Sequence, residues 1–388
     1  TPVFPGEPIL TVKAPLIQAQ FAETALLNIL NHQTLIATKS SKICRATGGK
    51  GMVMEFGLRR AQGPDAGING ARAAIIGGCS STSNVIAGQA FDVPVAGTMA
   101  HSWVMDYPTE YDAFRAYAKC YPDNCLLLVD TYDTLRSGVP NAITVFKELQ
   151  AAGKKPKGIR LDSGDLAYLS KKARKMLDAA GFPDAIISAS NDLDEYLIES
   201  LKAQGATITS WGVGTNLITS KDNPAFGGVY KLSAVEKDGE VIPKIKISEN
   251  IAKITLPGVK IPWRLYDRDT GKAIADVITL GHEKIDSSEP YEIFDPVHTW
   301  KRKIVTDFEV LKVGLHELAH SVSAKHDLDK IKAYEKMVEQ TTNTNKAPEV
   351  KAFKVSQVIS PVYGILDKNY TKEDIVDKKG GLKREKVV

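Results

Sequence analysis

Between Met52 and Val213 the chain alternates short apolar runs of β type with helical stretches. Cys125–Asp130 (CLLLVD), Gly158–Leu161, Ala185–Ser190 and Ile208–Val213 read as buried strands. Between them lie helical patterns over Asn141–Ala152, Leu166–Ala180 and Asp194–Gln204, the last with Asp192 or Asp194 as candidate N-cap. In the first of these, Ile143, Val145, Phe146 and Leu149 form the apolar face and Gly153 ends the helix. Upstream, Met52–Phe56 and Pro94–Gly97 read as further strands, and Ile68–Gly77 and Glu110–Cys120 as helices. A strand followed by a helix and then another strand, repeated at a spacing of roughly 30 residues, forces parallel pairing. So many consecutive parallel strands predict closure into an α/β barrel rather than a short open sheet.

The pattern changes after Gly227. Val229–Val235 and Val241–Ile247 flank Lys237-Asp238-Gly239, a β-hairpin signature. Trp263–Asp267 and Ala273–Leu280 flank Asp269-Thr270-Gly271-Lys272 and predict more strands. The expected organisation has four parts. Residues 1–20 contribute to a β-rich domain, and 21–226 form the barrel. Residues 227–306 are a β-rich segment returning to the barrel, and 307–388 a divergent helical C-terminal part. Within that last part, Thr341–Ala347 is a polar linker and the tail from Lys378 is charged and frayed.

Ligands of parallel α/β proteins bind beyond the carboxyl ends of the strands. The residues found there are polar and chemically capable. They are Arg59 and Arg60; Ser80 to Asn84; Thr98, His101 and Ser102; Asp130 to Asp133; Asp162, Ser163 and Asp165; Asn191 and Asp192; and Gly214, Thr215 and Asn216. Any one of these is most simply an ordinary loop residue. Together they suit a phosphorylated sugar. Gly212-Val-Gly-Thr-Asn216 and Gly77-Gly78 can present backbone N–H groups to a phosphate. Arg59, Arg60 and Arg160 can neutralise phosphate or carboxylate, or pair with Asp130 or Asp162 structurally. Asp130, Asp162 and Asp165 can hold ribose hydroxyls, stabilise positive charge at an anomeric carbon, or ligate Mg2+ through water.

Ten ordered segments then identify a resemblance. They are GEPILTVKAPLIQAQFAETALLNILNHQTLIAT, MEFGLRRAQGPDAG, GGCSSTSNVIAG, PVAGTMAHSW, VDTYDTL, GIRLDSGDL, ISASNDLD, WGVGTNL, GGVYKL and KIKISEN with KITLPG. In this order, from Gly6 to about Thr306, they resemble the nicotinate phosphoribosyltransferases, type II phosphoribosyltransferases with an irregular (β/α) barrel and a second, β-rich domain. After Thr306 the sequence no longer resembles them. The resemblance implies an enzyme of NAD salvage that condenses nicotinate with PRPP to nicotinate mononucleotide and pyrophosphate. Mg2+ would accompany the pyrophosphate, with ATP as co-substrate. It implies that His101 is the phosphorylated histidine, and that Asp130 and Asp162 are the carboxylates near the reacting ribose and the phosphohistidine. Phe56 matches the aromatic stacked on the pyridine ring, and Arg59 and Arg160 match substrate-site arginines. Gly214 and Thr215 match the 5′-phosphate cradle, and Ser163 joins the substrate-binding set. Ser83 stands where a nicotinamide-using relative has aspartate, so it either selects nicotinate or caps the following helix. Nicotinamide or quinolinate as the substrate is the alternative. The resemblance further implies a cytoplasmic homodimer.

Other signals set limits. A net charge of +4 over 388 residues argues against wholesale nucleic-acid binding. No apolar run approaches the ~20 residues of a membrane span, and the first residues lack the pattern of a signal peptide. The four cysteines contain no CxxC pair, which argues against a zinc knuckle and fits a reducing compartment. His316-Glu317-Leu-Ala-His320 with His326 has the spacing of a zinc metallopeptidase helix, but Ser323 replaces the glycine that lets the third histidine reach the metal. A surface helix with chance histidines explains it more simply, and a zinc metallopeptidase-like part is the alternative.

Overall fold

The structure is a computed structural model that describes residues 2–49, 51–249, 254–295 and 298–313, and the backbone of 351–358. The HELAH segment lies outside the described residues. Two compact units divide the chain, Gln33–Pro224 and Thr1–His32 with Ala225–Val388.

Gln33–Pro224 is the α/β unit. Its six-stranded sheet runs, in spatial order, Ser81–Thr82, Met52–Glu55, Ser210–Val213, Ile186–Ala189, Gly158–Leu161 and Leu126–Leu128. Every pair is parallel, and a parallel bridge from Thr82 to Val95 adds one more position at the first edge. Pro94–Gly97, expected as a full strand, contributes only that bridge, because Pro94 has no N–H to give a ladder. Curvature follows from one side chain. The Arg160 guanidinium, in the fifth strand, donates to the Thr98 hydroxyl just beyond Val95 at 2.7 Å. In a flat sheet those strands would lie about 24 Å apart at ~4.8 Å per step, so the sheet is rolled. This is the irregular barrel expected from the sequence. Among the described residues no ladder joins Leu126–Leu128 to Val95, so hydrogen bonding leaves the roll a half-barrel.

The helices follow from their apolar faces and caps. Val139–Ala151 buries Val139, Ala142, Val145, Phe146 and Leu149 against the sheet residues Leu127, Ile159 and Ile187. It starts two residues before the expected Asn141, because Pro140 fits a first turn whose N–H groups need no helical partner. Pro64–Ile76 likewise extends upstream of Ile68, with its proline in the first turn. Asp165 accepts from the Tyr168 N–H at 2.9 Å and Asp194 from the Leu197 N–H at 2.8 Å, so both are helix caps. Asp165 therefore leaves the set of candidate ligand carboxylates, and Asp194 rather than Asp192 caps its helix.

The other unit is β-rich. Its four-stranded antiparallel sheet runs Pro8–Pro15, Lys351–Val358, Gly228–Lys237, Glu240–Pro243. Asp238 and Gly239 turn the hairpin with φ of 52° and 83°, the paired positive angles of a type I′ turn. A three-stranded sheet places Lys260–Asp267 between Ala273–Leu280 and Phe308–Lys312. Two strands, Phe308–Lys312 and Lys351–Val358, thus fall in the segment expected to be helical. Each pairs with a strand far away in sequence, and such tertiary pairing overrides a local helical pattern.

A buried charge cluster organises this unit. Arg264, 1% exposed, grips Asp276 with two hydrogen bonds of 2.6 Å and donates to the Pro2 carbonyl at 2.8 Å. Glu7 accepts from the Phe4 N–H at 2.9 Å and is hydrogen-bonded to Asp276. Two carboxyl groups can bond only by sharing a proton. Burial, and then Asp276, push Glu7 up to about 9. The folded chain therefore holds a proton that the unfolded chain releases above the ordinary glutamate value, and stability falls as pH rises between them. The urea midpoint of the wild type should decline from about pH 5 to about pH 9. Glu7→Gln mimics the protonated acid and should flatten that decline; equal slopes for the two proteins would refute the shared proton.

Candidate active site

The strand ends of the α/β unit converge on Arg160. Its Nε donates to Ser190 Oγ at 2.8 Å, Nη1 to Thr98 Oγ1 at 2.7 Å, and Nη2 to Asp162 Oδ1 at 2.9 Å. The guanidinium also lies 5.6 Å from the centre of the Phe56 ring. Phe56 takes this position because residue 212 is glycine: a Cβ there would meet the ring at 2.5 Å.

Asp162 is fully committed. Its Oδ1 accepts from Arg160 and from the Ser190 hydroxyl, and its Oδ2 faces His101 Nε2 at 3.4 Å. Burial alone would raise its pKa. Arg160, Ser190 and His101 outweigh burial and hold Asp162 below the ordinary aspartate value. An ionised carboxylate can only accept, so this contact favours the His101 tautomer with its proton on Nε2. The opposite nitrogen, Nδ1, lies 3.1 Å from the Thr131 hydroxyl.

Asp130 is committed on one side only. Its Oδ2 accepts from the Asp162 backbone N–H at 2.9 Å and from the Ser163 hydroxyl at 2.6 Å. Its Oδ1 is buried and, among the described residues, has no hydrogen-bond partner. Beside these groups, Asn191 and Asp192 hold positive φ of 93° and 41°, a costly conformation for residues other than glycine. The Asn216 amide pins it by donating to the Asp192 and Leu193 carbonyls at 2.7 and 3.1 Å.

Phe56, His101, Asp130, Arg160, Asp162 and Ser163, six of the sequence candidates, thus lie in one connected group. Among the described residues no hydrogen bond or ion pair links the other four to it. Arg59 is exposed in the turn Leu58–Arg60 and forms no ion pair among the described residues. Gly214 and Thr215 form the corner between the strand Ser210–Val213 and the short helix Thr215–Ile218, where a Cβ on Gly214 would meet the Phe56 carbonyl at 3.2 Å. Ser83 is half-buried. Asn84, not Ser83, caps the following helix by accepting from the Ala87 N–H at 3.1 Å, so the capping explanation of Ser83 falls.

Two contributors escaped the sequence reading. Ser190 is shared between Arg160 and Asp162. Glu55 is fully buried at the end of its strand. Its Oε2 accepts from Thr82 Oγ1 at 2.6 Å, its Oε1 accepts from the Gly57 N–H, and its carbonyl accepts from the Ser83 N–H at 2.9 Å. Thr82 Oγ1 in turn accepts from the Asn84 N–H at 3.0 Å. One carboxyl group therefore fastens the Phe56–Gly57 corner to the Thr82–Asn84 corner. Burial raises its pKa, and the bonds from Thr82 and Gly57 oppose that rise. The available signal was an acidic residue ending the apolar run Met-Val-Met-Glu, where burial requires dedicated partners.

The sequence itself places the chain among known proteins. The sequence model described as the nicotinate phosphoribosyltransferase (NAPRTase) family matches residues 52–276. The chain belongs to that family. A second model, the nicotinate phosphoribosyltransferase C-terminal domain, matches residues 259–355. The expectation that family likeness ends near Thr306 is thereby corrected: the later strands carry little local pattern of their own. The nicotinate phosphoribosyltransferase of Bacillus subtilis is 55% identical over 318 residues, covering 81% of this chain and 64% of that protein. That of Dictyostelium discoideum is 38% identical over 364 residues, covering 80% and 61%. The crystal structure of human nicotinic acid phosphoribosyltransferase superposes with a TM-score of 0.64 at 29% identity, over 77% of this chain and 66% of that one. The chain spans 64% and 61% of the length of the two bacterial and amoebal relatives.

Thr82→Val keeps the shape of residue 82 but removes the hydroxyl that Glu55 accepts from. Leaving a buried carboxyl oxygen unsatisfied should lower unfolding free energy by about 1–3 kcal/mol. Urea denaturation at neutral pH measures it, and an unchanged midpoint would show that Glu55 does not depend on this bond.

Proposed function

We propose that the protein is a nicotinate phosphoribosyltransferase, joining nicotinate to the ribose 5-phosphate of PRPP with release of pyrophosphate. Family membership supports the reaction. The observation that carries the residue assignment is the buried, unpartnered Oδ1 of Asp130, held beside the ionised Asp162 and the Arg160 guanidinium. As pyrophosphate leaves C1 of the ribose, positive charge develops on the sugar. A fixed carboxylate stabilises that charge more in the transition state than in the ground state. Asp130 has the free acceptor for this task or for a ribose hydroxyl. Phe56, supported by Gly212 and faced by Arg160, offers an aromatic surface for the pyridine ring. Arg59 and Arg160 are the cations for the anionic substrates, and Gly214 and Thr215 the cradle for the 5′-phosphate.

His101 is the proposed phosphoryl acceptor. With the proton held on Nε2 by Asp162, Nδ1 carries the lone pair. ATP transfers its terminal phosphoryl group to Nδ1 and leaves as ADP, and water later releases phosphate from the histidine. Mg2+ bound to the pyrophosphate group would supply charge neutralisation. Asp130 Oδ1 is the available protein oxygen. Ser83 is the proposed discriminator between substrates, since its hydroxyl can donate to the carboxylate of nicotinate, whereas an aspartate would repel it. A homodimer in the cytoplasm completes the reading.

Pyrophosphate release with nicotinate, nicotinamide and quinolinate, each with PRPP, tests the reaction itself, and nicotinate should be strongly preferred. Asp130→Asn should lower kcat by roughly a hundredfold or more, the scale of losing one preorganised electrostatic contact. An unchanged kcat would remove Asp130 from the transfer step. His101→Ala should lose stimulation by ATP while still binding PRPP; full stimulation in this variant would refute the phosphohistidine. Ser83→Asp should weaken nicotinate more than nicotinamide in competition assays, and equal weakening would deny Ser83 a part in selectivity.

A further inference from the structure

Outside the cluster around Arg160, one group of reactive side chains has no part in the proposed reaction. Ser40 and Cys44 lie one turn apart on the helix Glu23–Ala46 and so share a face. The turn Gly77-Gly78-Cys79 lies against that face. The contact is close because residue 77 is glycine: a Cβ there would meet the Ala37 carbonyl at 2.4 Å and Ser40 Cβ at 2.7 Å. Ser40 Oγ donates to the Ala74 carbonyl at 2.8 Å and touches Cys79 Sγ at 3.1 Å. Cys44, one turn on from Ser40, flanks the Ser40–Cys79 contact, and both thiols are free. Cys79 is buried and Cys44 half-buried, so the pair has one member within reach of solvent.

We propose that Cys44 and Cys79 form a dithiol that a peroxide closes to an intramolecular disulfide, with Cys44 as the attacking sulfur and Cys79 as the resolving one. In the first step the Cys44 thiolate attacks the peroxide. An S–O bond forms, the O–O bond breaks, and hydroxide leaves, taking a proton to become water; Cys44 is oxidised to the sulfenic acid. In the second step the Cys79 sulfur attacks Cys44 sulfur. The S–S bond forms, the S–O bond breaks, and the Cys79 proton leaves with the departing hydroxyl as a second water. One peroxide is reduced to two waters and two thiols are oxidised to one disulfide.

The asymmetry of the pair agrees with these roles. The hydrogen bond from Cys79, opposed by burial and assisted by Ser40, holds the Cys44 thiol below the ordinary cysteine value. The same pairing, together with burial, pushes Cys79 up. The thiolate is the nucleophile, and the half-buried Cys44 is the member of the pair that a peroxide can reach. The bridge would join the helix to the turn from which the chain enters the strand Ser81–Thr82 and reaches Ser83. The proposal is independent of the substrate reading, because its readout is thiol chemistry rather than turnover.

The test uses the full chain, purified reduced and treated with hydrogen peroxide under native conditions. Two of the four thiols should disappear together, and a non-reducing tryptic map should contain the Cys44 and Cys79 peptides as one disulfide-linked species. Cys44→Ser and Cys79→Ser should each abolish that species, with a trappable sulfenic acid remaining at Cys44 in the second variant. Cys120→Ser, which removes the exposed thiol, should leave it intact. Oxidation of Cys120 ahead of Cys44, over-oxidation of Cys44 without a bridge in the wild type, or a bridge linking any other pair would overturn the proposal.

Discussion

The α/β unit depends on one guanidinium. Arg160 leaves the middle of a short parallel strand and contacts side chains from three other places along the sheet: Thr98 beyond one edge, Phe56 at the end of a central strand, and Ser190 at the end of the neighbouring strand. These points come within reach of one side chain only if the sheet is rolled. The rolling brings to one place residues separated by more than a hundred positions in sequence. The planar fork is what permits this, since each nitrogen addresses a different partner in a fixed direction. A lysine would offer one point of charge and could not hold the same three.

A second, quieter constraint supports the first. Glu55 is an acidic group placed where an apolar residue would serve packing better, and its burial is unfavourable unless every lone pair in reach is used. The structure uses Thr82, the Gly57 N–H and, through the backbone, the Ser83 N–H. The result is that the corner carrying Phe56 and the corner carrying Ser83 cannot move independently. Gly57 and Gly212 belong to the same arrangement. A Cβ on Gly57 would meet Ile218 at 2.4 Å, and one on Gly212 would meet the Phe56 ring. The glycines in these segments are therefore required by close approach as much as by turning.

The alternation of strand and helix was legible because each element is local: its apolar face, its cap and its stop all lie within a dozen residues. So was the type I′ hairpin, whose Asp-Gly turn dictates its own geometry. His101, Asp130 and Asp162 were legible as candidates because strand ends face one side of a parallel sheet. What could not be read were relations between distant segments. The reach of Arg160 to Thr98 and Ser190 depends on the roll of the sheet. Whether Ser83 caps the helix after Thr82 stayed open because Ser83 and Asn84 are both competent caps, and only the structure chooses Asn84. The strands Phe308–Lys312 and Lys351–Val358 acquire their structure from partners far away in the sequence. Neither has the strict alternation that would announce a strand by itself.

The two site aspartates illustrate how identical groups acquire different work. Asp162 has both oxygens engaged, by Arg160 and Ser190 on one side and His101 on the other, so it has little capacity left for a ligand. Its contribution is to fix the tautomer of His101 and the direction of Arg160. Asp130 is held as firmly, but through one oxygen, by the Asp162 N–H and the Ser163 hydroxyl. The other oxygen is buried and unbonded. An unmet acceptor of this kind costs about 1–3 kcal/mol; the fold carries others, such as Glu110 Oε1 and Asn216 Oδ1, and Asp130 Oδ1 is set apart by its place beside Asp162 and Ser163. It is tolerated where an incoming donor or positive centre completes the bond, and the cost is then recovered on binding or in the transition state. Because Asp162 donates its own N–H to Asp130, the group that orients the histidine also orients the free oxygen. The proposed phosphoryl transfer and the proposed sugar transfer would thus be aligned by a single backbone bond of 2.9 Å.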